Sequence, residues 1–342
     1  EKIMKKCKKC GGVLIFDPNT CGLMCNKCSE HQDFERTNDY KKHSFLMTDH
    51  TDEGIDMSQV KFHCPSCGAS FEGKNYSLSD ICSYCGGHLV ANLNENGLPD
   101  AIIPFAFDKQ TAKKIFKTGM GKKWFLPNKF KKEPPMDLIE SIYIPAYLCE
   151  IETDSSYKGR IYENETDSDG NSSRDYEMIS GTELVTTKDI MIECSSYLSQ
   201  TTLNQIKPYY FSKLYKFRPE FLYGYSVEYY DKNLDKCKGI IEEIVKSNIR
   251  TQILRHYHYD GVDYLNINTV YDECKYSKIV LPSYRVKYTY KQKEYSTFLN
   301  GQTGKIGGNI PRSKLKIGFF VGGIIAAICA LSAVIVAVVG GL

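Results

Sequence analysis

"SIYIPAYLCEIE", Ser141 to Glu152, holds tyrosine, isoleucine, leucine and alanine around one proline and two acids. Aromatic and β-branched side chains in a short run fit a half-buried pleated surface, so the stretch reads as a strand. The texture returns in "SYKGRIYEN" from Ser156, "RDYEMISGTELV" from Arg174, "SYRVKYTYK" from Ser283 and "KEYSTFLNG" from Lys293. A tight polar turn at Lys291 and Gln292 divides the last two, and the polar run Thr166–Ser173 reads as a hairpin tip. Most of the 25 tyrosines then occupy amphipathic strand positions and carry no chemistry.

Two segments have helical spacing instead. "DKQTAKKIFKTG" offers Asp108 as an N-cap and Gly119 as a stop, and "KNLDKCKGIIEEIVKSNIRTQILRHY" from Lys232 repeats apolar residues at three- and four-residue steps. Residues 100–311 are therefore expected to form one β-rich α+β domain. The chain of 342 residues is 42% hydrophobic and 25% charged, an ordinary globular balance that excludes general disorder. A net charge of +3 selects no polyanionic partner by itself.

The cysteines carry the strongest chemical signal. Cys7-x-x-Cys10 and Cys25-x-x-Cys28 are fourteen residues apart, and Cys64-x-x-Cys67 and Cys82-x-x-Cys85 repeat that spacing. Each Cys-x-x-Cys turn presents two thiolates at adjacent corners of a tetrahedron, so two turns complete the shell that zinc prefers. The expectation is two structural Zn2+ ions, one on Cys7, Cys10, Cys25 and Cys28 and one on Cys64, Cys67, Cys82 and Cys85. A redox pair or a disulfide framework fits the repeat less well, and paired thiols of this kind suit a reducing compartment. Cys21, His31, His63 and His88 flank the sites and are left outside the ligand sets. The resulting organisation is a zinc ribbon over 1–35, a polar linker over 36–60, a second ribbon over 61–92, the α+β domain and a C-terminal helix over 315–342. With a linker between them, the two ribbons are expected to move independently.

That last segment is a membrane signal. Ile317–Leu342 is 26 residues without a charge, about 39 Å of helix against an apolar thickness of about 30 Å. Arg312, Lys314 and Lys316 precede it, and the positive-inside rule then places the N-terminal domains in the cytoplasm, behind a single-pass anchor in the cell membrane. The N-terminal "EKIMKKCKKC" has no apolar core of a signal peptide. Gly318, Gly322, Ala326 and Ala330 recur every four residues, a face suited to helix–helix association.

Between these parts, Lys109–Lys132 carries nine lysines, no acid, and the chain's single tryptophan, Trp124. Anionic lipid is the first expected ligand and nucleic acid the second, with a solvated helix and a core Trp124 as the bland alternative. No His-Glu-x-x-His, Gly-x-Ser-x-Gly or dinucleotide loop is present, and "GQTGKIGG" from Gly301 lacks the glycine spacing of a nucleotide-binding loop. His256 and His258, read as one strand face with Asp260, are the remaining site candidate, and ordinary strand histidines are the simpler reading.

The ribbons resemble those of transcription factor IIB and of the primosomal protein N′ helicase. With "IIPFAFDKQTAKKIFKTGMGKKWFLPNKFKK", "IYIPAYLCE", "LPSYRVKYTY", "NGQTGKIGGNIPRSK" and the apolar tail, nearly the whole chain resembles the primosomal-protein-N′-like zinc-ribbon membrane proteins of Gram-positive bacteria. Closed thiolate sites and the lack of a catalytic motif make a non-enzymatic adaptor for protein partners the leading expectation, and the resemblance implies a phage-shock protein A homologue, recruited in envelope stress, among them. The alternative is a membrane-tethered nucleic-acid-binding protein related to replication or transcription factors.

Overall fold

The computed structural model describes residues 7–48, 61–63, 69–72, 84, 90–92, 98–166, 172–195, 198–228, 230 and 232–339. In chain order the strands are β1 (Leu14–Asp17), β2 (Gly22–Cys25), β3 (His31–Gln32), β4 (His43–Ser44), β5 (Lys61–His63), β6 (Ser70–Glu72), β7 (Val90–Asn92) and β8 (Ala101–Ile102). Helices α1 (Lys109–Lys122) and α2 (Asn128–Lys132) precede β9 (Leu138–Thr166) and β10 (Ser172–Glu193). Then come α3 (Gln200–Ile206), β11 (Tyr215–Lys216), β12 (Ser226–Val227), α4 (Leu234–Leu254), β13 (Gly261–Tyr290), β14 (Lys293–Asn300), β15 (Ile306–Gly308) and α5 (Lys314–Val339). The class is α+β and strand-rich.

Three strands dominate the main sheet, whose order is β10-β9-β13-β14-β15. β9 has 29 residues, β10 has 22 and β13 has 30. At about 3.3 Å per residue the longest runs for about 100 Å, against a usual strand of five or six residues. The strand candidates starting at Ser141 and Ser156 are thus one strand, and residues 261–282, which the sequence reading leaves unassigned, are strand as well. The turn at Lys291 and Gln292 forms as expected: both have positive φ, 51° and 61°, and Tyr290 pairs with Lys293.

β9 shows why so long a strand holds. Ile142, Ile144 and Ala146 face one core layer with Leu203 and Ile206 of α3, while Tyr143 on the other face joins the core under α1. Farther along, Tyr147, Cys149 and Ile151 pack against Ile241, Val245 and Ile249 of α4, spaced four apart as one helix stripe. Opposite them the polar Glu152, Asp154, Ser156 and Lys158 are exposed. The strand is buried on both faces first and on one face later, so its sequence passes from continuous to alternating hydrophobicity.

Asp108 caps α1 as expected, its side chain accepting from the Thr111 N–H. Gly119 does not stop the helix, which continues to Lys122. A Cβ there would lie 2.4 Å from Cδ1 of Ile306, the end of a side chain that would have to shift to admit it. Residues 36–48, in the stretch read as a linker, are laid along the sheet. Lys216 N–H donates to the Thr37 carbonyl at 2.7 Å, β4 pairs antiparallel with Lys275 and Tyr276, and Lys42 pairs with Glu150 at 2.9 Å. Residues 49–60 lie outside the described ones.

Candidate metal centre

β1, β2 and β3 form a small antiparallel sheet whose ends carry two copies of one turn. In the first, Gly11 N–H donates to the Cys7 carbonyl at 2.8 Å and Cys7 N–H to the Gly12 carbonyl at 2.9 Å. In the second, Ser29 N–H donates to the Cys25 carbonyl at 3.0 Å and Cys25 N–H to the Glu30 carbonyl at 2.9 Å. Gly11 and Ser29 both take positive φ, 70° and 55°, at the same place in their turns. At Gly12 a Cβ would come 2.8 Å from Cys25 Sγ, so the sulfur cluster itself requires glycine there.

The sulfurs of Cys7, Cys10, Cys25 and Cys28 all lie within 4.8 Å of one another. Three of the separations are 3.6 Å for Cys7–Cys28, 3.5 Å for Cys10–Cys25 and 3.3 Å for Cys10–Cys28. A tetrahedron with metal–sulfur bonds of about 2.3 Å has sulfur–sulfur edges of about 3.8 Å, so these thiols fit a single four-coordinate ion. The Cys28 and Lys27 N–H groups point at the Cys25 thiol and lower it to about 6. At Cys28 the Glu30 N–H acts in the same direction, but the crowded Cys10, Cys25 and Cys7 thiols and burial outweigh it and raise the thiol, so the neighbouring thiols do not ionise alike. Cys21 has φ 54° in the turn between β1 and β2 and lies outside the cluster, as does the exposed His31.

Cys64, Cys67, Cys82, Cys85 and His88 lie outside the described residues. What is described around them is a second small antiparallel sheet, order β6-β5-β7, with the Phe71 and Tyr84 rings 5.8 Å apart.

The first unit is joined to the large sheet by a shared core. Phe16 lies 5.4 Å from Phe221 and Phe34 4.9 Å from Phe221, ring centre to ring centre, and Leu14, Leu23 and Cys25 are buried in the same cluster as Phe105 and Tyr284. Sequence reading missed this seat because Phe16 and Phe221 are distant in the chain and no short motif contains both.

The histidine pair does not form a site. His256 lies in the turn after α4, not on a strand, and its Nε2 is 3.2 Å from Glu183, while His258 is exposed. Asp260 accepts instead from the Asn164 N–H at 2.7 Å. The cause is that α4 runs on to Leu254, so the alternation of the two histidines falls in a turn. Trp124 is 55% exposed, which excludes the core placement.

At the other end of the chain, α5 contains a 19-residue stretch, Lys314–Ser332, of mean hydropathy 2.1 with none of it buried. It is the one helix among the described residues long and apolar enough to cross a membrane.

Fold and site together define a strand-rich α+β protein with a four-cysteine cluster at one end of the chain and an apolar helix at the other. A protein similar to it is the uncharacterized protein YdjG of Bacillus subtilis (strain 168), 25% identical over 331 residues that cover 94% of each chain. No family model matches the chain, and no solved structure matches it.

Proposed function

We propose that the protein is a non-enzymatic, membrane-anchored adaptor, with two zinc ribbons and the β-rich domain on the cytoplasmic side. Zinc fits the first cysteine set by donor type and spacing, and four thiolates leave no open position for water or substrate, so such an ion holds structure and performs no reaction. The identical spacing of Cys64, Cys67, Cys82 and Cys85 supports a second ion. α5 would be the single-pass anchor, with Arg312, Lys314 and Lys316 on the cytoplasmic side. The adaptor's partners would be proteins, with a phage-shock protein A homologue in envelope stress as the first to test.

The observation that carries this reading is the closed four-thiol cluster seated on a body tied to an unburied apolar helix. Fractionation of cells expressing the full chain, or a chain ending at residue 313, tests it. The full chain is expected in the membrane, inaccessible to external protease, and a labelled phage-shock protein A homologue is expected to follow it there under envelope stress. A shortened chain that still fractionates with membranes removes the anchor, and recruitment unchanged without the protein removes the adaptor role.

A further inference from the structure

Trp124 is the largest apolar side chain on the molecule, yet more than half of it faces outward. Its ring lies tilted 5.1 Å from Phe125 and edge-on 5.5 Å from Phe320, and Phe125 lies 5.5 Å from Phe320, ring centre to ring centre. Phe320 belongs to α5 and is itself 45% exposed, so the three rings continue the unburied apolar surface of that helix onto the body.

The cluster is held in place. Lys316 Nζ donates to the carbonyls of Trp124 at 3.2 Å and Leu126 at 2.8 Å and to Asn128 Oδ1 at 2.6 Å. Ser313 N–H donates to the Phe125 carbonyl at 2.8 Å. The loop between α1 and α2 is thus clamped to the first turn of α5, and the depth of Trp124 is set by that helix. α1 turns Ala112, Phe116 and Met120 into the core, which leaves Lys113, Lys114, Lys117 and Lys122 on exposed faces. Lys129 and Lys132 of α2 are exposed beside them, and no acid occurs anywhere in residues 109–132.

We propose that residues 109–132 and the base of α5 form one membrane-seating surface: Trp124, Phe125 and Phe320 enter the interfacial layer of a bilayer while the lysines of α1 and α2 meet anionic lipid headgroups. This rests on the reading of α5 as an anchor. Tryptophan favours the headgroup level because its ring is apolar and its N–H finds a partner there. Lysines close to an anionic leaflet add attraction that falls off within a Debye length. Continuity with α5 selects lipid over a nucleic acid, since a base-stacking platform has no need of an adjoining apolar helix. The body is thereby seated against the membrane at the Leu138 end of β9, and the hairpin of β9 and β10 points along the sheet away from α1.

Trp124 is the chain's only tryptophan, so its emission reports this surface alone. The full chain would be reconstituted into phosphatidylcholine vesicles with and without phosphatidylglycerol, carrying bromine near the headgroup or at the acyl-chain end. The expected result is blue-shifted emission, quenched more by shallow than by deep bromine, and more strongly with phosphatidylglycerol. The variant Lys113→Gln/Lys114→Gln/Lys117→Gln should float with the vesicles and lose that lipid dependence. A chain that floats while its emission stays water-like and unquenched overturns the seating surface and leaves the anchor standing. Equal quenching in the two lipid compositions overturns the role of the lysines. A chain that does not float overturns both readings, and an emission shift produced by a single-stranded oligonucleotide, with bromine ineffective, assigns the surface to nucleic acid instead.

Discussion

The backbone N–H of Phe16 donates to the carbonyl of Tyr223 at 2.8 Å, fastening the strand that follows the first cysteine turn to the body of the protein. Phe16 is 2% exposed and its ring meets Phe34, Phe221 and Tyr225. The small four-cysteine unit and the large sheet therefore share packing and are expected to share stability.

Phe16→Ala should destabilise the folded chain by about 3–5 kcal/mol, the usual loss for a buried phenylalanine. Chemical denaturation followed by tyrosine or tryptophan signals from the body measures it. A loss confined to residues 7–32, with the body's transition unmoved, would show the two parts to be independent.

Metal content separates the two cysteine sets. The purified full chain should carry two zinc ions, Cys10→Ser should lower this to one, and Cys67→Ser should do the same. Elemental analysis with a protein assay gives the ratio, and a value near one for the unaltered chain, unchanged by Cys67→Ser, would eliminate the second site.

Glu228 gives a pH dependence. Burial lifts its carboxyl from 4.5 to about 7, with the Ser195 hydroxyl and Arg285 acting in the opposite direction and Glu193 and Glu140 adding to the rise. The sign follows from linkage: a raised acid is better accommodated protonated, so its contribution is fully present below about 4.5 and is lost as pH rises through about 7. The change is on the order of 3 kcal/mol. Glu228→Gln should flatten the stability profile between those values, and an unchanged slope in denaturant titrations at several pH values would contradict it.

The long strands depend on α4. Ile249 is wholly buried against them, and Ile249→Ala should remove about 2–5 kcal/mol. Hydrogen exchange should quicken most in residues 147–157 and 265–276, which this helix covers, and much less near α3. Uniform acceleration through the sheet would mean that the strands open as one unit.

Local signals in the sequence determined a good deal of this architecture. Thiols three apart bring Cys7 near Cys10 and Cys25 near Cys28, because a single turn fixes each pair. The two-residue turn at Lys291 and Gln292, the Asp108 cap and the apolar stripe of α4 are likewise set by residues within one or two turns of each other, and the uncharged run from Ile317 stands out by composition alone. Tertiary structure decided what covers each of these elements. It joined two strand candidates into β9, because α3, α1 and α4 cover successive stretches of its faces. It carried α1 past Gly119, because Met120 beyond it is buried in the core beside Phe116, and it divided His256 from Asp260 by giving each a different partner. It also placed Trp124 outside the core and against Phe320, nearly two hundred residues away. The reason is one of range: backbone preference and ligand spacing act between neighbours in the chain, whereas burial and close approach are settled only when distant segments meet.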